Sequence, residues 1–244
     1  MVHLWFYNPD SNFQMWDMTH IITIALALTI TVALFAFRKT LYPYRRTIRI
    51  TVGSALIISR LSLDFWYVST GQWTLKSSLP LELCSIASIL CGIMLLTKNR
   101  PLFEVFYFIA IGGALQAILT PDLNFGFPQF RYIQFFFDHF LLISAPLIMI
   151  WLYDFKINHK SLIKSFLALN GIAVVVFCIN TIFSANYMFL NHKPDSASLL
   201  DFLGPYPYYI FSLELVAFII FIILYLPFTI SSSSTYAHNN KDKQ

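Results

Sequence analysis

The sequence predicts an all-α integral membrane protein: a seven-transmembrane-helix bundle with its N-terminus outside and its C-terminus cytoplasmic. Three observations carry that expectation. Of 244 residues, 57% are hydrophobic and only 11% charged, where a soluble domain carries about 25% charged residues. The apolar residues fall into seven stretches: Met18–Phe37, Ile48–Ser69, Pro80–Leu96, Leu102–Leu119, Ile133–Tyr153, Leu162–Phe183 and Tyr208–Phe228. Each is near the roughly 20 residues that cross about 30 Å of hydrocarbon at about 1.5 Å per residue. The Lys and Arg residues alternate between connections. Twelve lie in or beside the first, third and fifth connections and in the tail, against Lys76, Arg131 and Lys193 in the others. Basic residues stay cytoplasmic, which sets the orientation. Helices satisfy their own backbone hydrogen bonds in lipid, and these runs are too long and continuous for barrel strands.

The elements follow in order. Residues 1–17 hold Trp5, Phe6, Tyr7, Phe13 and Trp16 and no Lys or Arg, which reads as an extracytoplasmic interfacial segment. The first stretch has no basic segment before it and no small-residue cleavage pattern after it, so it is expected to stay as an anchor. The second carries Arg60 and Asp64, four apart on one face, and ends among Trp66, Tyr67 and Trp73, expected to extend the aromatic belt. Pro80 and Pro101 are placed in the first turns of the third and fourth helices, where a missing N–H costs nothing. The third carries Glu82 and Cys84, the fourth Glu104 and Gln116, and the fifth Gln134, Asp138, His139 and a Pro146 expected to kink it. Asn170 and Asn180 lie in the sixth and Glu214 in the seventh. The membrane domain thus covers 18–230. The polar, low-complexity stretch 231–244 reads as a disordered cytoplasmic tail. The long connections Thr120–Tyr132 and Ser184–Pro207 read equally as lids over the bundle or as plain surface loops.

Ionisable residues inside spans are costly, at roughly 2.5–3.5 kcal/mol each, and turn inward. With the orientation above, Asp64, Glu82, Cys84, Gln116, Asp138, His139 and Glu214 all fall in the outer halves of their helices, and only Glu104 lies near the cytoplasmic end. An outward-facing polar pocket within the membrane is expected. Arg60 is read either as the structural partner of Asp64 or as the holder of a phosphate. Glu82 and Glu214 are read as neutral acids bonding between helices or as site groups, and Gln116 and the Asn residues as interhelical glue or site groups. The net charge of +4 follows the topology and does not suggest nucleic acid.

Cysteine and histidine at matched depth form a nucleophile and base, here Cys84 and His139. Ser85 and Ser88 stay open as alternative nucleophiles. Glu82, two residues from Cys84 and about 200° around a regular helix, is expected to face elsewhere. Cys91 and Cys178 read as inert core residues. There is no GxSxG elbow, HExxH zinc motif or phosphate-binding glycine loop, and no close ligand pair for a metal.

Three segments read together: LPLELCSIA at 79–87, GGALQAILTPDL at 112–123 and FPQFRYIQFFFDHF at 127–140. They resemble the YwaF-type (TP-like) bacterial integral membrane proteins over most of helices two to five. That family is in turn distantly similar to a eukaryotic transmembrane phospholipid acyltransferase that works through a cysteine. The resemblance implies Cys84 as nucleophile and His139 as its histidine, membrane lipids (phospholipid or lysophospholipid) as partners, no cofactor, and a bacterial plasma membrane as location. Arg60 or Arg131 would bind a lipid phosphate, Gln116 would help hold the oxyanion, and Asp64, Glu82, Asp138 and Glu214 would complete the substrate site. The same polar set is also compatible with a transporter or ion-coupled carrier, or with a ligand-sensing membrane module.

Overall fold

The computed structural model describes residues 5–194 and 199–241, with side chains for 5–194 and 200–229. Seven long helices and one short one make up the fold: α1 (Met18–Ala36), α2 (Arg38–Leu41), α3 (Arg45–Ser69), α4 (Leu83–Thr97), α5 (Arg100–Leu119), α6 (Phe130–Tyr153), α7 (His159–Phe183) and α8 (Tyr208–Lys241). No strand occurs among the described residues. Five helices are long and apolar enough to cross a membrane: α1, α5, α6, α7 and the Tyr208–Thr229 part of α8. Helix α4 is apolar but shorter, and α3 carries Arg45, Arg46, Arg49, Arg60 and Asp64. The tail 231–244 lies outside the residues with described side chains.

The helices sort by how apolar they are around their circumference. α5 and α6 are the centre, with 72% of the α6 span buried against 6% of α1. α3 packs on α4 and α6, α5 packs on α4, α6 and α7, and α8 leans on α5 and α7. In α3 the buried residues Arg49, Gly53, Leu56, Ser59, Arg60, Leu63 and Trp66 recur at helical spacing, so one stripe faces inward. Gly53 and Gly92 let α3 and α4 approach closely. A Cβ on Gly92 would lie 2.7 Å from Ile57 Cγ1 and 3.0 Å from the Gly53 carbonyl. One turn before Gly53, Arg49 ties the same pair, donating to the Leu95 and Leu96 carbonyls, and it also donates to the Tyr153 hydroxyl.

Helix α1 is apolar on all sides and its only buried residue is His20. That ring accepts from the Trp16 N–H at Nδ1 (3.1 Å) and bonds the Ile118 carbonyl through Nε2 (2.9 Å). A carbonyl only accepts, so Nε2 carries the proton, and His20 is a pin holding α1 to α5. The N-terminal segment lies across one end of the bundle: Phe130 N donates to Trp5 O, Phe13 N to Asn124 O, and Trp66 Nε1 to Phe6 O. Trp66 is therefore buried, at 1% exposure, and does not belong to an aromatic belt. Its indole needs a dry partner, and the segment supplies one.

One local expectation changes. Pro80 precedes α4 rather than opening it, because the helix starts at Leu83 with Glu82 extended at its N-cap (φ −65°, ψ 142°). Pro101 does occupy the first turn of α5, behind an Asn99 cap that accepts from Leu102 N. Pro146 is carried inside an unbroken α6.

Candidate functional site

A cavity of about 770 Å³ opens at the end of the bundle that carries the α3–α4, α5–α6 and α7–α8 connections. Cys84, His139, Arg60, Glu82, Gln116, Asp138 and Glu214 all line it. They come from α3, the start of α4, α5, α6 and α8. Asp64 is not on the wall. It reaches the site through Arg60, whose Nη2 lies 2.7 Å from Asp64 Oδ1. Glu82 faces the same cavity as Cys84 despite the two-residue spacing. Helical spacing does not apply to Glu82, which lies outside the helix on extended backbone.

Cys84 is half-buried, in the first turn of α4. Opposite it is Gly113 on α5: a Cβ built there would sit 3.8 Å from the Cys84 sulfur and 3.9 Å from Leu83 Cδ2. The glycine keeps the space beside the thiol open. Of the other cysteines, Cys91 is buried in the core and Cys178 is exposed on α7.

His139 is 7% exposed and bonds the Phe135 carbonyl through Nδ1 at 2.7 Å. Because the carbonyl can only accept, Nδ1 carries the proton and Nε2 keeps its lone pair. The Phe135 ring lies 4.1 Å away, centroid to centroid, and fixes the imidazole plane. No hydrogen bond joins His139 to Cys84. Asp138, the neighbouring residue, accepts from Ser88 Oγ at 2.5 Å, and its other oxygen is buried with no partner. Ser88 is one turn beyond Cys84 and also approaches the Cys84 carbonyl, at 2.9 Å. With one proton, the hydroxyl serves the carboxylate and so couples the α4 thiol turn to α6.

Two further lining acids are each held by a donor from another element. Glu82 Oε2 accepts from Met188 N at 3.0 Å, and Glu214 Oε2 accepts from Asn170 Nδ2 at 2.9 Å. Arg131 Nη1 donates to Gln134 Oε1, and Gln134 Nε2 reaches Ser59 Oγ at 3.2 Å. The Gln116 amide lines the cavity and makes no side-chain hydrogen bond among the described residues. Among the described residues no cluster of His, Cys, Asp and Glu has the spacing of a metal site. Glu104 lies away from the cavity, 2.6 Å from Lys164 Nζ.

Both long connections roof the cavity. From the first, Asp122, Leu123, Asn124 and Phe125 line it; from the second, Asn186, Met188, Phe189, Leu190, Pro194 and Leu200 do so, with 195–198 outside the described residues. The second connection is bolted down at Tyr187. Its backbone N–H donates to Asn180 Oδ1 and its carbonyl accepts from Asn180 Nδ2, both at 2.9 Å. Its hydroxyl accepts from Leu79 N and donates to Leu75 O, each at 2.9 Å. Burial raises the Tyr187 phenol above its ordinary value, so it stays neutral and keeps its donor. Sequence reasoning missed Tyr187, Gln72 and Gly113. The first two sit in connections, where polarity is ordinary, and Gly113 carries no side chain to notice.

The sequence model of the TMEM164 family matches residues 12–225, and the chain belongs to that family. With several apolar helices of spanning length, it is a multi-pass integral membrane protein. No curated protein matches the chain, and no solved structure does.

Proposed function

We propose that this TMEM164-family protein is a lipid-modifying membrane enzyme that moves acyl chains from a glycerophospholipid by way of Cys84. On this reading all seven long helices cross the membrane, the N-terminus lies outside, the cavity opens to the outer leaflet, and the location is a bacterial plasma membrane. The observation that carries the reading is the one cavity lined by both Cys84, with open space at Gly113, and a His139 whose Nε2 is free to take a proton. The resemblance of segments 79–87, 112–123 and 127–140 to YwaF-type proteins, and more distantly to a cysteine-dependent acyltransferase, points the same way.

The chemistry balances without a cofactor. His139 Nε2 takes the thiol proton, through a bridging water since the two side chains are not hydrogen-bonded in the resting state. The thiolate attacks the ester carbonyl, and the oxyanion is held by Gln116 and backbone donors. The C–O bond breaks, the leaving alkoxide takes the proton from the imidazolium, and Cys84 carries a thioester. An acceptor hydroxyl, of a lysolipid or water, then gives its proton to His139 and attacks. The C–S bond breaks and the proton returns to sulfur. Asp138 stabilises the transient imidazolium through the field at adjacent positions rather than by a direct hydrogen bond.

The test is covalent. Purified protein incubated with acyl-labelled phospholipid should carry a hydroxylamine-sensitive label on Cys84. The label should be absent from Cys84→Ala, while Cys91→Ala keeps it. Acyl exchange that survives Cys84→Ala would refute the reading. Solute flux that survives Cys84→Ala but fails in Glu82→Gln or Glu214→Gln would establish the carrier reading in its place.

A further inference from the structure

Two buried arginines in this fold behave differently. Arg49, at 7% exposure, spends its nitrogens on the Leu95 and Leu96 carbonyls and the Tyr153 hydroxyl. Arg60, at 4% exposure, does not. Its Nη2 serves Asp64 and the Ser78 carbonyl, but Nε and Nη1 are buried with no acceptor. Gln72, in the connection that follows α3, likewise has a buried Nε2 with no acceptor. Both side chains line the cavity. Buried donors are almost always satisfied, so a cluster of orphans facing one cavity marks the place of an absent acceptor.

We infer that Arg60 and Gln72 form an oxyanion subsite of the cavity, built for a phosphate group: the phosphodiester of a glycerophospholipid, or free phosphate. The orphans on Arg60 and Gln72 are all donors, and a phosphate is all acceptor; the cavity's one orphan acceptor, Asp138 Oδ1, lies on α6 beside His139. The charge on that wall agrees. Lys76 and Arg131 line the same cavity, and neither is in an ion pair among the described residues. Arg131 is held by the neutral Gln134 amide and the face of the Phe135 ring, so its charge is held in place but not cancelled. Of the cavity's carboxylates, Glu82 accepts from Met188 N, Asp138 from Ser88 through one oxygen and Glu214 from Asn170. Asp64 neutralises one end of the Arg60 guanidinium and holds it in orientation, leaving the other nitrogens for the ligand. This rests on the reading of the cavity as a lipid chamber but not on any chemistry at Cys84.

The experiment measures binding to the full chain in detergent, on the unmodified protein and on Cys84→Ala. Three probes are titrated: inorganic phosphate, a soluble short-chain glycerophospholipid, and the phosphate-free glyceride with the same chains. The phospholipid should raise the melting temperature of both proteins and the glyceride should not. Arg60→Gln and Gln72→Leu should each weaken phospholipid binding by about tenfold or more, the loss of one charge-assisted or well-placed hydrogen bond. Competition by inorganic phosphate alone would assign the site to free phosphate, and binding of the lipid only would assign it to the headgroup. Either outcome supports the subsite. Gln72→Leu leaves the Arg60–Asp64 pair intact and carries the test should Arg60→Gln fail to fold. Equal binding of glyceride and phospholipid, or unweakened phospholipid binding in Gln72→Leu and in any folded Arg60→Gln, overturns the inference. Acyl transfer lost with binding intact would sink only the catalytic reading; the converse would sink only this one.

Discussion

Asn180 is the hinge pin of the cavity roof, and replacing it should expose Cys84. Its amide is fully buried and makes both of its bonds to the backbone of one residue, Tyr187. Asn180→Leu keeps the volume but removes both bonds. In the closed state the Tyr187 N–H and C=O are then left in a dry site, while on opening they meet water. At about 1–1.5 kcal/mol net per hydrogen bond, the closed roof loses about 2–3 kcal/mol. Since 1.4 kcal/mol is a factor of ten, the open population rises about 30- to 140-fold. Alkylation of Cys84 by a bulky water-soluble maleimide reads that population directly if reclosing outpaces reaction. A Cys178→Ser background removes the exposed competitor, and Cys91 is fully buried. Asn180→Asp, which keeps the acceptor, should fall between the two. A Cys84 alkylation rate in Asn180→Leu within roughly threefold of the parent, well under the 1 kcal/mol scale of a single bond, would refute the roof as the barrier.

Three further outcomes follow from the packing. Gly92→Ala should lower thermal stability by about 1–3 kcal/mol through overpacking, because its Cβ meets Ile57 at 2.7 Å and the Gly53 carbonyl at 3.0 Å. Adding Ile57→Ala should recover only part, since the backbone contact remains. Arg49→Met should cost about 2–4 kcal/mol, as three acceptors at the α4 end lose a buried cationic donor, and Arg49→Lys should restore less than half in a thermal melt. Gly113→Ala should be tolerated, with its Cβ in ordinary contact 3.8 Å from the Cys84 sulfur. Gly113→Leu should leave the melting temperature nearly unchanged while slowing Cys84 alkylation and acyl transfer together.

The parts of the fold that depend on solvent preference were legible in the sequence, and the parts that depend on helix phase were not. Apolar runs located the long helices, and the cost of burying polar groups, taken with helix direction, led to the expectation of one pocket for Asp64, Glu82, Cys84, Gln116, Asp138, His139 and Glu214; all of these but Asp64 line the cavity. Asp64 was misplaced because a salt bridge to Arg60 turns it off the wall. Trp66 looked like a belt residue because nothing in its own neighbourhood announces that the Phe6 carbonyl, sixty positions away, will cap its indole. Ser88 could be named as polar, but its pairing with Asp138 across two helices is a register fact. Tyr187 and Gln72 act from connections, where a polar residue carries no signal against the background.

The position of one helix start accounts for the cavity itself. A run counted from Pro80 to Leu96 would make α4 about 26 Å long, closer to a full crossing. Started at Leu83, it has 15 residues and is about 22 Å long at about 1.5 Å per residue, well short of the roughly 30 Å of hydrocarbon its neighbours traverse. On the seven-span reading, the missing turns leave a hollow above the α4 N-terminus, and the chain before it must dip below the surface as irregular backbone. Such backbone survives at that depth only where protein or a polar cavity satisfies it. Here Tyr187 hydroxyl meets both Leu79 N and Leu75 O, and Arg60 meets Ser78 O. The same shortfall puts Glu82 on extended chain and Cys84 in the first turn, both at the cavity floor. Had α4 begun a turn earlier, Glu82 would sit about 200° around the helix from Cys84 and point away from it. The short helix therefore makes both the space and the access to it, and the roof anchored at Tyr187 is the closure that such a space requires.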